Sequence, residues 1–364
     1  MDPEINPYAA MPLHFWTATF FVFGSVVGSF LNVCIYRMPR DLSIVHPPSH
    51  CPECEYRIPW FLNLPILTWL MLAGRCANCS IRISPRYLLV ELLTGLMFAG
   101  SWLTFGQESV ALSVAACVFI AGLLAATFID FEHFIIPNEI TYGGMVVGVI
   151  ASAFVPELHG APDRATAMKE SMIGVVAGAA VVFCVLQFGK VLFGRFEVPI
   201  KSGDSMTFTE TDLHMPDDVV PYGDIFSRKT DFIRFHATRL ELVDRCYWDK
   251  DVELSASLLR IGDESFDPEP VRFMQAHTEK VVLPREAMGY GDVKFMAAIG
   301  AFLGWKAVLF SLTLSSVIGS FVGVSLIILG KREWSSKLPY GPYIALAALM
   351  WLFLRADIVA RLNW

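Results

Sequence analysis

Charge is scarce in this chain. Asp, Glu, Lys and Arg supply 17% of its 364 residues, against roughly a quarter in a soluble domain. Apolar residues supply 54%, and the mean hydropathy is +0.51. An ordinary soluble protein is therefore excluded. The N-terminal stretch "MDPEINPYAAMPLHF" lacks a basic region, and the apolar run behind it is too long for a secretion signal. The expectation is that this run persists as a helix. No internal repeat and no low-complexity tract is present. A glycine-rich fingerprint after a strand is also missing, which leaves no soluble dinucleotide- or methyltransferase-type fold to point to.

The chain has instead long apolar blocks of about 20 residues, the span of a bilayer. They fall near 13–35, 87–104, 109–129, 138–155, 171–193, 293–305, 307–329 and 341–360. The predicted fold is an all-α polytopic membrane protein of about eight transmembrane helices. Basic residues mark the cytoplasmic loops. Arg37, Arg40, Arg57, Arg75, Arg82 and Arg86 crowd one loop, and Lys331, Arg332 and Lys337 another. With the N-terminus outside, every Arg-rich loop falls in the cytoplasm. A nucleic-acid partner is not indicated.

Two polar stretches interrupt the blocks. The boundaries predicted are a first helix at 1–35, a small lobe at 36–86, helices two to five at 87–194, a soluble insertion at 195–288, and helices six to eight at 289–364. From 201 to 286 there are 18 acidic and 11 basic residues, an excess equal to the net charge of −7 for the whole chain. The acidity belongs to the insertion. Its segments "DFIRFHATRLELV" and "VELSASLLRI" partly alternate apolar and polar residues, which predicts a β-rich lobe.

Cys51, Cys54, Cys76 and Cys79 form C-x2-C-x21-C-x2-C. Two close thiol pairs at that separation have the spacing of a tetrahedral zinc site. Two disulfides, or four idle thiols, are the bland alternatives, and a cytoplasmic lobe disfavours the first. Four protein ligands leave no open position, so the ion would be structural. Cys34, Cys117 and Cys184 lie in apolar runs and read as fillers.

Two aspartates stand where apolar blocks meet water. Asp130 ends the run Ala121–Ile129, and Asp292 follows Gly289-Tyr290-Gly291 and opens Val293–Trp305. A carboxylate at the edge of hydrocarbon is expensive and marks a functional site by default. Two could share a proton and activate water. Both fall on the cytoplasmic face by loop charge. The bland reading of Asp130 is an interfacial anchor, and that of Lys294 is snorkelling to the interface. Glu91 is a further polar candidate inside an apolar block, with a structural anchor as the alternative.

Five ordered motifs carry a resemblance: "GSFLNVCIYRMPR" (28–40), the lobe and its exit at 50–95, "FIDFEHFIIPNEIT" (128–141), "GYGDVKFMAAIGAFLGW" (289–305) and "LPYGPYIALAAL" (338–349). The chain resembles the type IV prepilin peptidases, bifunctional leader peptidases and N-methyltransferases of type IV pilus and type II secretion systems. The resemblance implies that Asp130 and Asp292 are the catalytic pair of a G-x-G-D aspartic protease, with Cys51, Cys54, Cys76 and Cys79 holding zinc. It implies a multi-pass protein of the bacterial inner membrane that cuts the leader of prepilins or pseudopilins on the cytoplasmic side. It further implies methylation of the new N-terminus with S-adenosylmethionine. Membrane lipid is the other expected partner. Asn138 stands where many relatives have Asp, and the insertion at 195–288 replaces a short loop. That insertion either covers the site, selects substrates or is passive. The rival classes are a transporter, which would place polar residues at mid-depth, and a non-catalytic zinc-pinned assembly factor.

Overall fold

The structure is a computed structural model that describes residues 12–193, 195–201, 203–216, 218–226, 231–268, 273–284, 289–329, 338–362 and 364. The N-terminal residues before 12 and the basic residues Lys331, Arg332 and Lys337 lie outside the described residues. The chain divides into two compact units, Met1–Phe183 with Tyr290–Trp364, and Cys184–Gly289.

The first unit is helical. Its elements are α1 (Leu13–Arg37), α2 (Leu67–Met71), α3 (Pro85–Ser101), α4 (Val110–His133), α5 (Asn138–Phe154), α6 (Arg164–Phe193, which runs on into the second unit), α8 (Tyr290–Ile328) and α9 (Gly341–Leu362). Local chemistry starts them. The Ser84 hydroxyl accepts the Arg86 N–H with Pro85 in the first turn of α3, and the Ser109 hydroxyl accepts the Leu112 N–H to begin α4. Inside the helices hydroxyls return to their own backbone. Thr17 donates to Leu13 O at 2.9 Å and Ser325 to Phe321 O at 2.7 Å. Such pairing leaves no polar group for an apolar solvent to satisfy. Val22, Phe23, Val176 and Phe321 face outward, as surfaces turned to lipid do.

Among the described residues, six helices are long and apolar enough to cross a membrane: Leu13–Arg40, Pro85–Gly106, Val110–His133, Arg164–Gly189, Tyr290–Ile328 and Gly341–Leu362. Eight crossings are not reached on that measure, and two features account for the difference. Helix α5 has only 17 residues, about 26 Å at 1.5 Å per residue, just short of the ~30 Å core. Two of the expected runs, 293–305 and 307–329, are counted as one span in α8, whose 39 residues are two helices that meet at a kink: Gly304 has φ 80° and ψ 175°, outside helical geometry. The Ala301 carbonyl just before the break accepts the Ser171 hydroxyl at 2.7 Å and the Ser152 hydroxyl at 3.3 Å. The break is thus held by side chains from α6 and α5.

The second unit is β-rich, as the alternation predicts. Its strands are β1 (Arg195–Pro199), β2 (Met206–Phe208), β3 (Asp212–Met215), β4 (Asp218–Pro221), β5 (Ile233–Leu242), β6 (Cys246–Leu254), β7 (Leu259–Ile261), β8 (Glu264–Phe266), β9 (Met274–His277) and β10 (Lys280–Pro284), with a short helix α7 (Tyr222–Ile225). All pairings are antiparallel, in the order β4-β3-β2-β9-β5-β6-β7-β8. The long β5 also pairs with β10, which pairs with β1 from Arg195↔Pro284 to Pro199↔Lys280. Ile233, Phe235, Ala237 and Leu240 of β5 point into a core with Met206, Phe208, Leu213 and Val252. The unit has its own hydrophobic core.

On the outer face of β5, His236 bonds Asp251 through Nδ1 at 2.8 Å and Asp249 through Nε2 at 2.9 Å. Asp251 first, then Asp249, raise its pKa above the usual histidine range. A raised folded value contributes stability below the unfolded value of about 6.5 and loses it as pH rises through the folded one. The insertion's melting temperature should therefore fall as pH rises through that window. His236→Asn should flatten the dependence, and calorimetry at a series of pH values checks it.

Candidate active site and metal centre

The two aspartates reach the same end of the helical unit. Asp130 lies in the last turn of α4 and is 6% exposed. The helix stops at Phe134, which takes a left-handed conformation (φ 56°) and donates its N–H to the Asp130 carbonyl. The chain then passes Ile136 and Pro137 into α5. Asp292 sits in the first turn of α8 and is 8% exposed. The residue before it, Gly291, packs against Ile136; a Cβ there would lie 3.4 Å from the Ile136 Cβ. The α4–α5 connector therefore touches both aspartate neighbourhoods.

A third helix completes the Asp130 environment. The N–H of Gly341, first residue of α9, donates to Asp130 Oδ2 at 2.8 Å. Free N–H groups and the positive end of the dipole make a helix start a natural seat for a carboxylate. A Cβ at 341 would stand 2.8 Å from Asp130 Oδ2, so any larger residue must displace the carboxylate. The turn before α9 is pinned by Tyr340, whose hydroxyl bonds Ser315 and Ser316 of α8 at 2.9 Å each.

Lys294 does not merely reach for water. Its Nζ donates to Asn138 Oδ1 at 2.6 Å and lies 5.2 Å from the Tyr142 ring centre. The pair ties the start of α8 to the start of α5. Neither Gly341 nor Asn138 was singled out as a site residue by sequence reasoning. The signals were there: a glycine flanked by Tyr340 and Pro342 at the start of an apolar block, and an amide after Ile136-Pro137. Glu132 pairs with Arg86 at the start of α3. The end of the cysteine lobe and the Asp130 end of α4 therefore lie on one side.

The four cysteines converge. Their Sγ atoms all lie within 4.8 Å of one another, with Cys51–Cys79 at 3.8 Å and Cys54–Cys76 at 3.9 Å. All four are free thiols. A tetrahedron with metal–sulfur bonds of about 2.3 Å has edges of about 3.8 Å, so the donor set fits a zinc ion. Two matching turns build it. Cys51 N–H bonds Tyr56 O and Cys76 N–H bonds Ile81 O, with Glu55 and Ser80 both left-handed. The Asn78 amide donates to Cys54 Sγ at 3.6 Å. That bond first, and the Tyr56 backbone N–H next, bring the Cys54 thiol down to about 6. A depressed thiol favours the thiolate that ligates metal.

Glu91 is buried in α3, where Oε2 accepts the Ile66 N–H at 2.7 Å. Nearby, Asn32 Nδ2 donates to Tyr87 O at 3.0 Å, while its Oδ1 is buried with no hydrogen-bond partner among the described residues.

The helical unit thus carries candidate membrane helices, two buried carboxylates at one end and a four-cysteine lobe. Residues 22–105 match the Bacterial Peptidase A24 N-terminal domain, and residues 117–197 and 271–324 match the Type IV leader peptidase family. The chain belongs to the type IV leader peptidase family. It is 44% identical over 158 residues to the prepilin leader peptidase/N-methyltransferase of Myxococcus xanthus (strain DK1622), covering 43% of this chain and 44% of that protein, less than half of its length. It is 27% identical over 362 residues to the protein of the same description from Aeromonas hydrophila, covering 91% and 89% of the two chains. Identity to the type 4 prepilin-like proteins leader peptide-processing enzyme of Escherichia coli O78:H11 is 27%, over 96% of each chain. No solved structure matches the chain.

Proposed function

We propose that this chain is a membrane aspartic endopeptidase that removes the leader of type IV prepilins or type II secretion pseudopilins at the cytoplasmic face of the bacterial inner membrane. Asp130 and Asp292 are the catalytic pair. The observation carrying this reading is the pair of buried carboxylates at one bundle end, joined through Ile136 and Gly291. Of two carboxyls sharing a site, one carries the proton. The ionised one takes a proton from water as the oxygen attacks the scissile carbonyl. The protonated one donates to the carbonyl oxygen. Collapse of the tetrahedral species breaks the C–N bond, and the leaving amine takes up a proton. The Gly341 N–H holds one Asp130 oxygen in place through this cycle. A prepilin is itself an apolar helix with a polar leader. It approaches within the membrane and presents its leader at the interface.

The four-cysteine lobe holds a structural zinc ion. The second activity is methylation of the freed N-terminus. S-adenosylmethionine supplies the methyl group when bound. The buried acceptors Glu91 and Asn32 Oδ1 suit the cationic groups of that donor and would hold it beside the lobe. Purified protein in bilayers, mixed with a prepilin and S-adenosylmethionine, should yield a leader-free, N-methylated pilin by mass spectrometry. An intact prepilin at long times, under conditions where a known leader peptidase cuts it, overturns the reading.

Gly341→Ala tests the support of Asp130. The added methyl must displace the carboxylate. Cleavage should drop by about tenfold or more, the equivalent of ~1.4 kcal/mol in the barrier. Thermal stability should change little, because Asp130 sits at a helix end. Unaltered cleavage kinetics would show that the Gly341 contact plays no part.

A further inference from the structure

The four-cysteine lobe carries an apolar surface that its own fold does not cover. Trp60 is 81% exposed and Met71 82% exposed, and Leu64, Leu67 and Leu70 are open as well. A soluble lobe of this size has no use for such a face, which marks an interaction surface.

Its depth follows from one hydrogen bond. The Ile66 N–H, just before α2, is held by Glu91 at 2.7 Å. Glu91 lies six residues beyond Pro85, roughly 9 Å down α3 at 1.5 Å per residue. Its side chain leans back toward the start of that helix, so α2 is seated about one turn inside the end of a membrane span. The seat is enforced. Ile66 has φ 63° and ψ −53°, which is costly for a β-branched residue, and the buried carboxylate holds it there. Leu89 and Leu92, flanking Glu91 in α3, and Phe30, two residues before the Asn32 that bonds Tyr87 O, are exposed apolar residues at this depth. Beside the apolar face of 60–71, Trp69, Ala73, Gly74, Arg75, Arg82 and Ile83 line a cleft. Arg75 and Arg82 are paired across the second cysteine turn by a backbone bridge.

We propose that Trp60–Met71 is embedded in the cytoplasmic interface of the bilayer. Acyl chains cover Trp60, Leu64, Leu67, Leu70 and Met71. The headgroup phosphate of an anionic phospholipid sits against Arg75 and Arg82. Tryptophan at the interface and arginine at the phosphate level are the residue types this position calls for. The proposal rests on the helices being membrane spans and does not require the peptidase assignment. It makes the lobe a semi-submerged body next to the site, in the layer through which a helical substrate would arrive.

The test uses the full chain in nanodiscs. An environment-sensitive fluorescent amino acid is placed at Met71 or at Phe23 on the outer face of α1. Lipids brominated high on the acyl chain quench probes that touch them. The expected result is quenching at 71 at least half as strong as at 23. Quenching at 23 but not at 71 overturns the proposal and leaves that face to water or a protein. Absence of quenching at 23 removes the span reading and the proposal with it. In a second arm, Arg75→Gln with Arg82→Gln should reduce co-purified anionic lipid several-fold, and excess inorganic phosphate should not displace it from the unaltered protein. Equal lipid content in the variant, or displacement by phosphate, overturns the headgroup contact.

Discussion

Asp130→Asn and Asp292→Asn should each lower leader cleavage by roughly four orders of magnitude, the scale on which single members of a catalytic unit act. Asparagine keeps the size of aspartate, and its side-chain oxygen can still accept the Gly341 N–H. The helical unit should therefore stay folded, with an unchanged melting temperature. What goes is the ability to exchange a proton with water and with the scissile carbonyl. The double variant should fall no lower than either single one, because half of an acid–base pair does as little as none. Kinetics on a prepilin in bilayers, with melting curves beside them, make the check. Near-normal cleavage by either single variant sinks the assignment.

Removing the metal should have the second large effect. Structural zinc contributes on the order of 10–16 kcal/mol in isolated zinc peptides, more than a small lobe can replace from its own core. Its cysteines are held by two short turns and by the Asn78 bonds to Cys54 and Cys76. Cys51→Ser with Cys76→Ser should abolish zinc content by elemental analysis and open residues 42–83 to protease. Methyl transfer should be lost. Cleavage should persist within a few-fold, since the aspartates stand on α4 and α8. Metal-free protein that methylates fully and resists protease would end the structural role of zinc and the lobe's part in methylation.

The candidate site was legible where its signal was local. The cysteine spacing needs only two short turns, and a carboxylate at the end of an apolar run announces itself. Gly341 meets Asp130 across 211 residues and Lys294 meets Asn138 across 156. Such meetings are fixed by helix packing, which no local pattern encodes. The alternation in β5 was readable because, from Ile233 to Ala237, every second side chain enters the core. Its three neighbours, β6, β9 and β10, were not, because strand order depends on long-range pairing. The division of α8 was readable too: Gly304, where its two helices meet, lies two residues before Lys306, the charge that separates the runs 293–305 and 307–329.

The pairing of β1 with β10 has a consequence for how such a chain can change over time. First and last strands run side by side, so this domain leaves and rejoins the chain within about 5 Å, one strand spacing. The family match pauses after 197 and resumes at 271, on β1 and just ahead of β9. A whole folded cargo can be spliced in or cut out at such a doorway. The cost of closing the loop grows only with the logarithm of its length. Lineages can therefore gain, lose or replace this domain in one genetic step, leaving the helical unit to be inherited on its own terms.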